Sequence, residues 1–148
     1  MRLLTALLFF CVTTTPLSAA EGQDWYVVTT ADGTFDYNAG DIDVSPKTGF
    51  KTLGIETKDA NGFNSYIFTI DCRRKQGTFG GSIDSHETMT MVESNPDAMP
   101  PDSDGWEPIS KDIPMKMAAL AACKRHISGA VHFESAQAAR AQLSILSN

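Results

Sequence analysis

The segment Asn64–Cys72, which reads NSYIFTIDC, decides the fold because its side chains alternate between two faces. A period of two is the pattern of a β-strand with different surroundings on its two sides. One face of this predicted strand carries an apolar row that ends in a cysteine: Tyr66, Phe68, Ile70 and Cys72. Just before the strand, Asn61-Gly62 suits the positive φ angles of a tight turn. The segment is therefore predicted to be the second strand of an antiparallel hairpin.

Short strand-like segments separated by turn residues occupy much of the chain around this hairpin. They are predicted over Asp24–Thr30, Thr34–Tyr37, Ile42–Val44 and Phe50–Thr57, then through Thr78-Phe79 and over Glu87–Glu93. Strands that follow one another through tight turns indicate an antiparallel sheet.

After a loop over Ser94–Gly105, the hydrophobic period changes from two to 3.6. Asp112 is placed to cap a helix over Met115–Ile127, and Gly129 is placed to end it. The predicted apolar stripe of this helix consists of Ile113, Met117, Leu120, Cys123 and Ile127. A second, alanine-rich helix is predicted from Ser135 to about Ser147, with loose docking.

The first 20 residues have the three regions of a secretory signal peptide. Arg2 supplies the positive charge, Leu3–Val12 is apolar, and Ser18 and Ala20 form a small-x-small cleavage site. Bulky Phe9 and Phe10 stand before Cys11, so a lipid anchor on that cysteine is not expected. Cleavage after Ala20 would leave residues 21–148 as one exported domain.

Removal of the leader leaves two cysteines, Cys72 and Cys123, in a chain exported to an oxidising compartment. Only one pairing is then available, and we predict that disulfide. A free catalytic thiol is the alternative, but it needs a nearby histidine and a reducing environment.

The predicted disulfide would place the apolar face of the Asn64–Cys72 strand against the helix, because bonded cysteines have Cα atoms within about 7 Å. The expected fold class is α+β: a small antiparallel sheet with a C-terminal helix covering one face, tethered by one disulfide. Trp25 and Trp106 are expected to be largely buried.

The charge of the chain excludes some classes of partner. Its 148 residues include 12 Lys and Arg against 18 Asp and Glu, a net charge of −6. A nucleic-acid-binding surface requires an excess of clustered Lys and Arg, so no nucleic-acid partner is expected. No later apolar run reaches 18 residues, so no transmembrane segment is expected either.

Several segments resemble the surface-adhesin protein E-like domain family of exported bacterial proteins. They read DWYVV, FDYNAGDI, SYIFTIDCRR, WEPIS and AACK, and together span roughly Trp25–Cys123. The positions that fit best are Ser65, Asp71, Cys72, Trp106, Ile109 and Cys123, whereas Asn38 and Asp41 stand where the family pattern has Asp and Ser. The resemblance implies a single antiparallel sheet with a disulfide-tethered C-terminal helix, an adhesin-like role and the option of a homodimer.

No catalytic motif is present: the chain lacks Gly-x-Ser-x-Gly, Walker and His-Glu-x-x-His sequences. The alternative is a small extracytoplasmic enzyme or metal-binding protein that uses His86, His126 and His132, with Glu134 as a further ligand. The same histidines and Glu134 are also explained as solvated side chains near the end of a helix, without any metal. No catalytic residue, cofactor or metal is therefore predicted.

The sequence favours a non-enzymatic, adhesin-like binding protein that is periplasmic or at the cell surface, with a host-matrix or envelope component as its unknown protein ligand. Candidate binding residues are Arg73, Arg74 and Lys75 at a hairpin end, and Asp97, Asp102 and Asp104 in the acidic loop. Ordinary solvated turns account for the same charges. An exported inhibitor of a hydrolase such as a lysozyme is a further alternative, because basic lysozymes attract acidic partners.

Overall fold

A computed structural model describes residues 24–84 and 105–147, in which eight strands form one antiparallel sheet with a helix on each face. The strands are β1 Trp25–Thr30, β2 Gly33–Asn38, β3 Asp43–Val44, β4 Lys51–Asp59, β5 Gly62–Asp71, β6 Gln76–Asp84, β7 Glu107–Pro108 and β8 Val131–Phe133. The helices are α1 Ile113–Cys123 and α2 Ala136–Leu146. The strand order is β7-β6-β5-β4-β2-β1-β8, with β3 also paired to β4. The predicted α+β class is confirmed.

The β4–β5 hairpin forms where the sequence predicts it. Its register runs without interruption from Lys51 opposite Ile70 to Asp59 opposite Gly62. Asp59 fixes the turn, because its Oδ1 accepts hydrogen bonds from the backbone N–H groups of Asn61 (2.7 Å) and Gly62 (3.1 Å). Gly62 takes a φ of 138°, which side-chain-bearing residues rarely adopt. The turn chemistry therefore sets the register of the two longest neighbouring strands.

Helix α1 covers the face of the sheet that carries Phe68 and Ile70, as expected. The core between them consists of large side chains from the sheet and two methionines from the helix: Val28, Phe35, Leu53, Ile55, Phe68, Ile70, Met115 and Met117. The fit is tight at Gly77 of β6, where an added Cβ would lie 2.9 Å from the Met115 sulfur. Glycine at this position therefore lets the start of the helix approach the sheet.

The helix face that meets the sheet differs from the predicted stripe. Ile113 is 47 % exposed, and the buried positions besides the methionines are Ala118, Ala119, Ala121 and Ala122. Alanine adds no side-chain entropy cost on burial and permits close packing of a helix on a sheet. The helix also ends at Cys123 instead of Ile127, because Lys124 takes an extended conformation (φ −94°, ψ 131°). Asp112 caps its first turn as predicted, accepting from the Met115 N–H at 2.8 Å.

Helix α2 packs on the opposite face of the sheet, against β1 and β2. Its Ala139 and Leu143 are fully buried. Ser135 caps its first turn by accepting a hydrogen bond from the Ala138 N–H at 3.3 Å. The sequence predicts no helix for this face of the sheet, but α2 covers it near β1 and β2.

The two edge strands, β7 and β8, are too short to give a periodic signal and were not predicted. Strand β8 pairs with β1 over only three residues, and β7 pairs with β6 over two. The predicted strand Glu87–Glu93 lies outside the described residues. Among the described helices, none has the length and the apolar run needed to cross a membrane.

Candidate functional site

The disulfide joins two parts of the chain that each carry a run of basic residues. Cys72 and Cys123 are bonded, with Cα atoms 5.6 Å apart, so the predicted pairing is confirmed. Cys72 follows β5 directly, and Cys123 is the last residue of α1. Three basic residues follow each cysteine, Arg73-Arg74-Lys75 in one case and Lys124-Arg125-His126 in the other. Because neighbouring Cα atoms are 3.8 Å apart, the two runs begin within about 13 Å of each other.

All six residues of these runs are exposed. With Lys51 they form a surface that we call the basic patch: Lys51, Arg73, Arg74, Lys75, Lys124, Arg125 and His126. Lys51 belongs to it because its Nζ donates to the backbone carbonyl of Ala122, beside Cys123, at 2.6 Å. This bond also satisfies one of the unpaired carbonyls at the C-terminus of α1.

The first basic run is held in a defined turn. Asp71 Oδ1 accepts hydrogen bonds from the N–H groups of Arg73 (2.9 Å) and Arg74 (3.1 Å). Asp71 Oδ2 also lies 3.4 Å from Arg74 Nε. Lys75 has a φ of 55° and its carbonyl accepts from the Ile109 N–H. The backbone of this run is therefore ordered by its own carboxylate, which offsets part of its charge.

The second basic run borders a cavity of about 310 Å³, which we call the basic pocket. Its polar lining comes from Tyr26, Tyr37, Lys51, Lys124, Arg125 and His126, and its floor from small apolar residues such as Ala121 and Ala130. Within residues 24–84 and 105–147, no carboxylate lines it. The volume falls in the range of small-ligand sites, and the lining can bind a group that carries negative charge.

Two tyrosines form one wall of the basic pocket. Tyr26 and Tyr37 are partners across β1 and β2, with stacked rings 5.6 Å apart. Burial and the neighbouring Tyr26 raise the pKa of Tyr37 above its ordinary value of 10.0. Its hydroxyl therefore stays protonated at neutral pH and available to donate to an anion.

The two described histidines of the predicted set, His126 and His132, do not belong to a group of three metal-ligating side chains within the described residues. His126 lines the basic pocket, whereas His132 of β8 lies 3.1 Å from Asp24 and packs on the Tyr26 ring. Glu134 is exposed. Across residues 24–84 and 105–147, no three His, Cys, Asp or Glu side chains are grouped to hold a metal ion. His86 and the acidic-loop candidates Asp97, Asp102 and Asp104 lie outside the described residues.

A second polar site, absent from the sequence predictions, lies on the α2 face of the sheet. Asp36 of β2 and Glu56 of β4 are cross-strand partners, 0 % and 6 % exposed. Arg140 of α2 donates to both oxygens of Glu56, from Nε (2.5 Å) and Nη2 (2.8 Å), and Ser65 Oγ donates to Oε1 (2.9 Å). Neither oxygen of Asp36 has a hydrogen-bond partner among the described residues.

These groups surround a cavity of about 150 Å³, which we call the carboxylate cavity. Its lining is Trp25, Asp36, Asn38, Asp41, Gly54, Ile55, Glu56, Ser65 and Arg140. Burial, followed by the nearby negative charge of Glu56, raises the pKa of Asp36 to about 7, while Arg140 opposes the rise. Asp36 is therefore a buried carboxyl that titrates near neutrality.

The sequence carries a clear signal for the basic patch and only an ambiguous one for the carboxylate cavity. The basic patch follows from two similar tetrapeptides, Cys-Arg-Arg-Lys and Cys-Lys-Arg-His, once their cysteines are paired. The carboxylate cavity was indicated only by charged residues inside predicted strands, Asp36 and Glu56, which alternation alone assigns to solvent.

Comparisons with known proteins assign no function to these sites, so the sites are interpreted from their own chemistry. No family model, curated protein or solved structure matches the chain. The likeness to the surface-adhesin protein E-like family rests on the sequence motifs quoted above.

Proposed function

We propose that this protein is an exported, non-enzymatic binding protein of the bacterial cell envelope, adhesin-like in role, and that the basic patch is its contact surface. One observation carries the proposal. Six of the 12 Lys and Arg residues lie around the disulfide, five of them exposed and Lys51 partly exposed, although the chain as a whole has a net charge of −6. Such a local concentration of positive charge favours association with a negatively charged partner and steers that partner toward the surface.

The chemistry of the basic pocket indicates which groups the partner presents. Arginine binds carboxylates and sulfates through paired N–H donors, and lysine acts on them as a point charge. The Tyr37 hydroxyl adds a neutral donor at the same place. An acidic group on a host-matrix or envelope component is the ligand that suits this lining.

Glu56 on the other face supports a non-enzymatic role. A general acid or base must reach a proton on its substrate. Both oxygens of Glu56 are already engaged by Arg140 and Ser65. A lysozyme inhibitor acting through the basic patch is disfavoured, because basic lysozymes would be repelled by a surface of the same sign.

Neutralising the second basic run is expected to weaken binding to an acidic polymer. The probe is a heparin oligosaccharide, which carries both carboxylate and sulfate groups. For the double variant Lys124→Gln/Arg125→Gln, we expect its affinity to fall by about 5- to 30-fold at low salt, since each exposed charge contributes up to about 1 kcal/mol. The difference should shrink as salt shortens the Debye length to about 8 Å at 0.15 M. Calorimetric titration at two salt concentrations measures both effects.

The matched control is Lys58→Gln/Lys116→Gln, which removes the same net charge near the opposite end of α1. This control should bind almost as tightly as the unmodified protein. If the two double variants weaken binding equally, the effect comes from net charge and not from the basic patch. If the unmodified protein does not bind the heparin oligosaccharide, the assigned ligand chemistry is contradicted. Both variants should keep their free energy of unfolding within about 0.5 kcal/mol.

Export has its own test at the N-terminus. Because the leader ends in a small-x-small site, the exported protein should begin at Glu21. Intact mass spectrometry of protein from the envelope or medium measures this directly. A chain that retains Met1, or a lipid on Cys11, would contradict the assigned processing and location.

A further inference from the structure

The carboxylate cavity contains a carboxyl group, that of Asp36, to which no described residue donates a hydrogen bond. Asp36 is 0 % exposed and neither of its oxygens accepts a hydrogen bond from a described residue. The nearest cation, Arg140, directs Nε and Nη2 to Glu56 instead. A buried carboxylate without a donor is costly, so this position favours either a proton or a cation that supplies donors.

Two of the donors that line the cavity are directed to groups other than Asp36. Ser65 Oγ donates to Glu56, and Asn38 Nδ2 donates to Asp41 Oδ2 at 2.8 Å. Asp36 receives no hydrogen bond from a described residue, and an ionised carboxylate only accepts hydrogen bonds. A ligand that pairs with Asp36 must therefore bring N–H donors and positive charge together.

The size of the cavity favours a small ligand. Its volume of about 150 Å³ is below the range of about 300–1,000 Å³ typical of sites for drug-sized ligands. An ammonium group with a short alkyl stem is a ligand of suitable size. Trp25 adds an aromatic side chain to the lining, and aromatic rings attract such cations.

Access to the cavity is provided by Gly54 of β4, which lines it and is exposed. The backbone at Gly54 does not require glycine, and an added Cβ would meet only the Tyr66 carbonyl oxygen at 3.9 Å, an ordinary contact. The absence of a side chain at Gly54 therefore leaves space beside the carboxylates, and the fold does not require this space to be empty.

We propose that the carboxylate cavity binds a primary ammonium group, with Asp36 as its counter-ion. The same chemistry is offered by a free small amine and by a lysine side chain of a partner protein. This site lies on the α2 face of the sheet and is independent of the acidic ligand assigned to the basic patch.

The test uses the oxidised full-length mature protein and two probes, methylammonium chloride and Nα-acetyl-lysine amide. We expect methylammonium to bind saturably at pH 8 in the millimolar range, the ceiling for so small a ligand. Because bound ammonium requires ionised Asp36, the affinity should be about tenfold lower at pH 6. Chemical-shift titration by NMR, with sodium chloride at equal ionic strength as reference, measures both values. Tetramethylammonium has the charge but no N–H donor, and it should bind at least tenfold more weakly.

Two variants separate the site from the rest of the surface. Asp36→Asn removes the counter-ion and should abolish the saturable response. Gly54→Val keeps the charge but fills the space, and should abolish it as well while a strand-compatible residue preserves the fold. A response of the lysine amide as strong as that of methylammonium assigns the site to a partner's lysine, and a response to methylammonium alone assigns it to free amines. The proposal is overturned if methylammonium gives no saturable shift, if tetramethylammonium binds equally well, or if folded Gly54→Val responds fully.

Discussion

Replacing Asp36 with asparagine is expected to stabilise the protein at pH 8 by up to about 4 kcal/mol and to change its stability little at pH 4. The folded-state pKa of Asp36 is about 7 against an ordinary value of 3.8, and each unit of difference is worth about 1.4 kcal/mol. Between these pH values the folded protein holds a proton that the unfolded chain has lost. Stability conferred by this group therefore falls as pH rises from about 4 to 7, and a neutral amide removes that loss.

Urea denaturation at intervals from pH 4 to pH 8 measures the effect. The charged groups around Asp36 are Glu56, Arg140 and Asp41, and all three are retained in the variant. The control is Asp43→Asn, which removes an exposed carboxylate from β3 and should leave the pH profile unchanged. A variant Asp36→Asn that is less stable than the unmodified protein at pH 8, or that keeps the same slope, would show that Asp36 is ionised without cost.

Breaking the disulfide is the second change with a large expected effect. Cys72→Ser and Cys123→Ser should each lower the free energy of unfolding by about 2–5 kcal/mol, because the bond closes a loop with a sequence separation of 51 residues. The loss falls on the junction of β5 and α1, where the end of the helix is held to the sheet.

Denaturant unfolding with and without dithiothreitol measures the free energy of unfolding of the oxidised protein, the reduced protein and the variants. The reductant should destabilise the unmodified protein and leave the Cys72→Ser/Cys123→Ser double variant unaffected. Two titratable thiols in the native protein under oxidising conditions would contradict the bond, and a loss below about 1 kcal/mol would mean that packing alone holds α1 in place.

The parts of the fold that local chemistry specifies could be predicted from the sequence. Strict alternation over Asn64–Cys72, the Asn61-Gly62 turn and the Asp112 cap each determine their own conformation. The face of α1 could not be predicted this way. The helical pattern of large apolar residues includes Ile113, which is exposed, and gives no weight to the alanines that contact the sheet. Trp25 and Trp106 are half-buried, less than their size suggested.

The two sites depend on long-range docking, which a single sequence reveals only in part. Asp36 alternates with Phe35 and Tyr37, so its own strand assigns it to solvent. Its burial arises when α2, about a hundred residues later, docks on that face. Burial and the charge of Glu56 then raise the pKa of Asp36, while Arg140 of α2 opposes the rise. The sequence contains both basic runs, but only Arg73–Lys75 is predicted from it as a binding site. The two runs lie close together because of the disulfide, so the patch follows only when both predictions are combined.

The disulfide also sets the effective concentration of one basic run relative to the other. Arg73–Lys75 and Lys124–His126 are half-sites about 50 residues apart along the chain, and each alone offers only two or three exposed charges. Joined, they can engage one polyanion together, so the second contact becomes intramolecular and the two affinities multiply instead of adding. The bonded cysteines have Cα atoms 5.6 Å apart, so the two half-sites begin beside each other. A partner with closely spaced acidic groups therefore meets both half-sites at once.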